Sequence, residues 1–238
     1  MIKFEHTEVV GWQAAIRGMR NPLESWEKSD SVFCDQIEGC SNCPLHRDDG
    51  FCGADYVSDK TSGTYSIGKN DHDLMMRLRD AGTDHRKFMR MIVCYVDITA
   101  PLYWRKEMDT YRMGVEKNSC STMHCIQKHE FTLGDFSHEH MTPCGEAALR
   151  TSIERLNMAR GYYNKKVDKP SECMNWRDYW WDLIQLLPSS YNQKRTYMIS
   201  YEALANMYHA RKEHKLDEWR EGFCNWVKSL PYSELITG

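Results

Sequence analysis

No stretch of this 238-residue chain approaches the roughly 18 uninterrupted apolar residues that a membrane-crossing helix needs, so no membrane partner is expected. An excess of positive charge is also missing. The chain has 31 basic and 34 acidic residues, a net charge of −3. Without an overall basic field, binding to long nucleic acid by charge alone is excluded as the main activity, although a local basic pocket for one phosphate is not. The opening "MIKFEHTEVVGWQ" has no apolar core of a secretory signal, so a cytoplasmic protein is expected. Internal repeats and low-complexity linkers are absent as well. One domain over 1–238 is therefore expected, interrupted by an irregular Cys-, Gly-, Asp- and Ser-rich insertion at 30–66.

Core-forming material is plentiful. Hydrophobic residues make up 41% of the chain, and eight Trp and thirteen Tyr argue against disorder. Residues 8–19 read as a short helix or a strand running into a helix. Asn70 or Asp71 is placed to cap a helix reaching about Ala81, with Gly82 just past its end. "MRMIVCYVDI" (89–98) is an apolar, β-branched run that predicts a strand covered on both faces, stopped by Pro101. Residues 102–112 suit a helix with Leu102, Trp104, Met108 and Tyr111 inward. "GEAALRTSIERLNMARGYY" is amphipathic through Leu149, Ile153, Leu156 and Tyr163. Residues 176–187 predict another helix, closed by Pro188. Residues 200–228 carry the longest helical signal, with Ser200 as N-cap. Many helices around few strands predict an α+β domain, a small sheet packed with several helices.

Ten cysteines in a chain without an export signal are expected to be reduced, which favours metal ligation over disulfides where they cluster. "CDQIEGCSNCPLHRDDGFC" spaces Cys34, Cys40, Cys43 and Cys52 as C-x5-C-x2-C-x8-C. The CxxC pair sets two thiolates on one tight turn, and tetrahedral zinc takes four such ligands. The surrounding loop has few apolar residues to fold it, so the cluster reads as a structural zinc knuckle. An iron–sulfur cluster and four free thiols are the competing readings, and His46 is a substitute ligand.

"APLYWRKEMDTYRMGVEKNSCSTMH" (100–124) packs Arg105, Lys106, Glu107, Asp109, Tyr111, Arg112, Asn118, Ser119 and Ser121 directly behind the predicted strand. Each polar residue has an ordinary reading and a functional one. Arg112 at a helix end complements the dipole or meets an anion. Arg211 shares an apolar stripe with Leu204 and Trp219, so it needs a partner, either a ligand oxygen or a carboxylate such as Asp178 or Asp182. His85 is an exposed helix-end histidine or a flavin or nucleotide contact. Asn118 and Ser121 are turn residues or phosphate contacts. Tyr111 stacks on a ring or packs in the core. Glu107 is a general base or a solvated charge. Gln193, Lys194 and Arg195 follow "PSSYN" in a predicted loop.

From His85 onward the order of motifs resembles the flavin-dependent thymidylate synthases. The matching stretches are Gly82, His85, "MIVCYVDIT", Ala100-Pro101, "KEMDTYR", "NSCS" and "LLPSSYNQKRTYMISYEALANMYHARKEHKLDEW", and "WQAAIR" is similar to the family's opening "AAR". The family signature Arg-Gln-x-x-Arg-His-Arg falls on 106–112, with Glu107 for Gln, Thr110 for Arg and Tyr111 for His. Arg112 is kept. Ile184 and Met123 stand where the family carries basic residues. The resemblance implies transfer of a one-carbon unit from methylene-tetrahydrofolate to a dUMP-like pyrimidine deoxynucleotide, with FAD relaying hydride from NADPH. Such a chain is a flavoprotein methyltransferase of nucleotide biosynthesis that works as a homotetramer. By the same resemblance, Arg211 and Arg112 are catalytic, and His85, Arg112, Tyr111 and Asn118 hold the flavin. Ser121, Glu107, Gln193, Arg195 and Arg211 meet the nucleotide. The changed signature motivates two readings: a divergent enzyme, one version of which acts on a precursor of a modified base, or an inactive zinc-containing, oligomeric scaffold or binding protein on the same fold.

Overall fold

In this computed structural model the structure describes residues 2–34, 64–168 and 175–238. Cys40, Cys43, Cys52 and most of the predicted insertion lie outside the described residues. The zinc expectation lies outside them too. Among the described residues, no group of three or more His, Cys, Asp or Glu is placed to hold a metal ion.

The elements run β1 (Lys3–Val10), α1 (Trp12–Arg20), β2 (Val32–Cys34), β3 (Thr64–Ser66), α2 (Lys69–Asp80), β4 (Val93–Pro101), α3 (Leu102–Met108) and β5 (Val115–Ser119). They continue with α4 (Thr122–Cys125), α5 (Pro143–Lys165), α6 (Asp178–Gln185), β6 (Asn192–Ser200), α7 (Tyr201–Arg211), α8 (Cys224–Lys228) and α9 (Glu234–Thr237). Four strands form one sheet in the order β1-β4-β6-β5, and β2 pairs with β3. Backbone bonds from Leu102 to Tyr191 (3.0 Å) and from Tyr201 to Ile92 (2.9 Å) tie opposite ends of β4 and β6, which fixes them antiparallel. This is the predicted α+β class. In the small pair, Cys34 stands opposite Thr64, so the two ends of the Cys-rich stretch are strand partners. No helix among the described residues is long and apolar enough to cross a membrane.

The chain divides into two compact units. One comprises Glu5–Val96, Tyr111–Glu116 and Tyr197–Gly238. Within it β1 passes into α1 at Gly11, whose φ of +96° and 2.0 Å from a hypothetical Cβ to the Met91 carbonyl oxygen admit only glycine. Helix α1 buries Trp12, Ala15, Ile16, Met19 and Arg20, one face at helical spacing. Arg20 is there because Asp71 is: its Nε donates to Asp71 Oδ1 at 2.6 Å, and both side chains are buried. Arg20 also donates to the Ser25 and Lys28 carbonyls at 3.0 and 3.1 Å. Asp71 Oδ2 accepts from the Ser29 and Ser31 hydroxyls at 2.7 and 2.6 Å and from the Ser31 N–H at 3.1 Å.

Asn70 or Asp71 is the expected helix cap, but α2 begins at Lys69, so both lie within its first turn. The cap comes from Asp30, whose carboxylate accepts the Asn70 and Asp71 N–H groups at 2.8 and 3.1 Å. Gly82, with φ +105°, follows the C-cap Ala81 as expected.

The expected strand over 89–98 begins only at Val93, because Arg86–Arg90 forms a 3-10 turn. The expected single helix over 200–228 is two. Ser200 caps α7, accepting from the Ala203 N–H. After Arg211 the chain turns, and a π-helical segment, Glu218–Phe223, leads into α8. The π segment carries Trp219 and Phe223, four residues apart and both fully buried, on its inner face.

The other unit comprises Met1–Phe4, Asp97–Thr110 and Lys117–Thr196. Its core joins Leu149, Ile153 and Leu156 of α5 to Tyr179 and Leu183 of α6 and to Phe131 and Phe136. Helix α3 stops at Met108, short of the predicted 112, because the Thr110 N–H and hydroxyl both close onto the Glu107 carbonyl, at 3.1 and 2.7 Å.

Two stability measurements check this account. Burial alone would raise the Asp71 carboxyl, but hydrogen bonds from Ser31, Ser29 and Arg20, with the Arg20 charge, outweigh it and hold it below its ordinary 3.8. Its contribution is therefore present above that value and lost as pH falls through the lowered folded value. Asp71→Ala, which strands a buried guanidinium, lowers unfolding free energy by about 3–5 kcal/mol in denaturant titrations at pH 7, and Asp71→Asn flattens the acid limb of the stability curve. Ser200→Ala, which removes the α7 cap, costs about 1 kcal/mol in the same assay.

Candidate functional site

Arg211 ends α7 and is half-buried. Its Nε donates to the Tyr111 hydroxyl at 2.8 Å. The guanidinium carbon lies 5.4 Å from the Tyr111 ring centre and 4.9 Å from that of Trp219. Both distances fall within cation–π range. The rings meet each other edge-on at 6.3 Å. Trp219 is fully buried and packs on Phe223 at 5.1 Å, so the face beneath the cation is rigid. The sequence alone had offered a ligand or a carboxylate as the partner of Arg211. A phenol and two ring faces supply at least part of that partnership. Tyr111 was open between core and ring stacking, and it stacks a guanidinium.

Arg112 follows Tyr111 in the turn that reaches Gly114. It is not at a helix end as expected, since α3 finishes at Met108, so helix-dipole stabilisation does not explain it. Its side chain is exposed and makes no hydrogen bond or ion pair among the described residues. Gly114 needs its φ of +70°, and a Cβ there would lie 2.5 Å from the Ser200 hydroxyl. His85 is exposed at the start of the 3-10 turn, its N–H bonded to the Gly82 carbonyl at 3.1 Å. Beside it in sequence, Arg86 and Arg90 both grip Glu202 in the first turn of α7, with Arg90 Nη2 at 3.2 Å and Arg86 Nε at 3.4 Å. Burial would raise the Glu202 carboxyl, but Arg90 and Arg86 outweigh it and hold it low. Sequence reasoning missed this triad. Its only local sign is two arginines four residues apart.

In the second unit, Gln193 and Arg195 stand on β6 rather than in the predicted loop. Gln193 is buried, donating from Nε2 to the Cys120 carbonyl at 2.7 Å and accepting from Arg195 Nε at 2.9 Å. Arg195 Nη1 straddles the Asp109 carboxylate at 2.9 and 3.2 Å, and Lys117 reaches the same carboxylate. Burial would raise Asp109, but Lys117 and Arg195 together lower it. Ser121 caps α4, accepting from the His124 N–H at 3.3 Å. Asn118 is exposed on β5, and Glu107 is half-buried on α3. Arg105, given no role from sequence, is buried and donates to the Ile98 and Gln193 carbonyls, locking α3 to β4 and β6. The structure thus brings Arg211 to Tyr111 within one unit. In the other it joins Gln193, Arg195 and Asp109.

No protein-family description and no curated protein sequence matches this chain. Two crystal structures of thymidylate synthase X from Helicobacter pylori, each holding FAD and dUMP, do match it in shape. Both align with a TM-score of 0.59 at 14% identity, covering 99% of this chain and 96% and 97% of theirs. At that identity the likeness is one of fold. The chain therefore has the fold of a flavin-dependent thymidylate synthase over nearly its whole length.

Proposed function

We propose that the chain is a divergent flavin-dependent transferase that moves a one-carbon unit to a pyrimidine deoxynucleotide resembling dUMP. The observation that carries the reading is the held guanidinium of Arg211. By the sequence resemblance it corresponds to the family's pyrimidine-binding arginine, and a hydroxyl and two ring faces hold it. A cation held in advance of binding stabilises charge developing on a pyrimidine carbonyl without reorganising when the reaction occurs. Arg112, exposed and unengaged among the described residues, fits a flavin or nucleotide phosphate, and His85 and Asn118 are exposed donors of the same use. FAD, when bound, supplies the hydride relay from NADPH, with methylene-tetrahydrofolate as carbon donor. Ser121 and Glu107 complete the nucleotide contacts by resemblance, and a homotetramer is the assembly the resemblance carries.

A second reading, an inactive oligomeric scaffold on the same fold, is favoured by one observation. Arg195 and Lys117, cations suited to a nucleotide phosphate, are both spent on Asp109. Cys34, Cys40, Cys43 and Cys52 serve as structural zinc ligands under either reading.

Purified protein distinguishes the readings. The enzyme shows the visible absorption of a bound oxidised flavin, and calorimetry detects dUMP binding. Arg211→Ala weakens that binding at least tenfold, which is about 1.4 kcal/mol. Tyr111→Phe weakens it less, because the ring stays under the cation. Colourless protein that binds neither FAD nor dUMP overturns the first reading. Metal analysis of the same sample tests the zinc, and Cys43→Ser should lose it.

A further inference from the structure

The end of α1, the segment to Ser31 and the first half of α2, all within the first unit described, enclose a cleft of about 690 Å³. Arg20, Leu23, Ser25, Lys28, Asn70 and Arg77 are among its walls. A smaller cavity of about 270 Å³, with Arg17, Trp26 and Ser29 in its lining, shares Arg20 with it. Together they are of the size that accepts a small organic ligand.

Charge balance indicates the ligand's sign. Arg20 is neutralised by Asp71, and Asp73 on the cleft wall is paired with Lys69 while also feeling the charge of Arg77. Arg17, Lys28 and Arg77 remain, all exposed and none with a side-chain hydrogen bond or ion pair among the described residues. Asn70 adds a neutral polar group. The walls therefore carry uncompensated positive charge, most of it in the larger space.

The rim is also built before any ligand arrives. Arg20 holds the Ser25 and Lys28 carbonyls, Asp71 holds Ser29 and Ser31, and Asp30 caps α2. The backbone that carries Lys28 is thereby fixed through the buried ion pair. Beside the cations stand two large apolar side chains that the fold leaves out of its core: Trp26 is 51% exposed and Leu23 54%. Asn21 accepts the Trp26 indole N–H at 2.8 Å, which holds the ring in place. An aromatic face next to unpaired cations on a rigid rim matches a ligand with a planar ring at one end and phosphates at the other.

We propose that this cleft binds a nucleoside phosphate, with the phosphates at Lys28 and Arg77 and the base against Trp26. The site is separate from Arg211, and its existence does not depend on the transferase reading. Calorimetry of the full chain with ATP, at low ionic strength and without magnesium, tests it. The expected result is saturable binding that pyrophosphate competes away. The double variant Lys28→Ala/Arg77→Ala should weaken ATP binding at least tenfold and Trp26→Ala about threefold to tenfold, while Arg211→Ala leaves it unchanged. The cations altered are exposed and unengaged among the described residues, so unchanged thermal melting accompanies the loss. No binding at millimolar ATP, or equal binding by the double variant, overturns the proposal. Loss of ATP binding in Arg211→Ala with retention in the double variant overturns it too, by assigning the ATP to the Arg211 site.

Discussion

A guanidinium out of water must be fully paired, and the ion pair of Arg20 with Asp71 meets that requirement at the heart of one unit. Desolvation opposes both charges, so the pair is tolerable only because nearly every polar atom around it finds a partner. Those partners are backbone and hydroxyl groups of residues 25–31, a stretch with little apolar content of its own. The pair thus converts a polar connection into a fixed one. It also sets where α2 begins, since the same connection delivers Asp30 to the helix N-terminus.

The same arrangement recurs with different consequences. Glu202 gathers Arg86 and Arg90, and Asp109 gathers Arg195 and Lys117. In each case one carboxylate engages two cations, fixing where they point and offsetting half of their charge. Such a carboxylate has a structural return, because it ties residues far apart in the chain. It also narrows the set of cations available for chemistry. The cations that make no side-chain hydrogen bond or close ion pair among the described residues are informative for that reason, and Arg112, Arg17, Lys28 and Arg77 are in that set.

Features with a local cause were legible in the sequence. The α5 stripe of Leu149, Ile153 and Leu156, the Ser200 cap and the left-handed Gly82 all depend on neighbours within a turn or two. So does the strand stopped at Pro101. Features made by distant partners were not legible. Asp71 has the spacing of a cap, and only Arg20, 51 positions away, shows why it is buried. Arg195 meets Asp109 across 86 positions, and nothing in either segment marks the pairing. The two halves of the expected 200–228 helix share one apolar period, so periodicity could not report the turn at 212–216 that separates them. The order of motifs located the fold because order survives substitution. The identity of each site residue does not.

Tyr111 shows what such a substitution can keep. Where the family signature has histidine, a phenol presents an acceptor to Arg211 Nε and a ring face to its guanidinium. A protonated imidazole there would repel the cation, and a neutral one would offer a smaller face. Trp219 supplies the second face from the π segment, which follows the turn at 212–216 that breaks the predicted long helix. The departure from regular helix and the departure from the signature thus serve one cation. A buried ring face, a phenol ring and its hydroxyl converge on this single guanidinium, which is why Arg211 weighs more in this reading than the signature positions that changed.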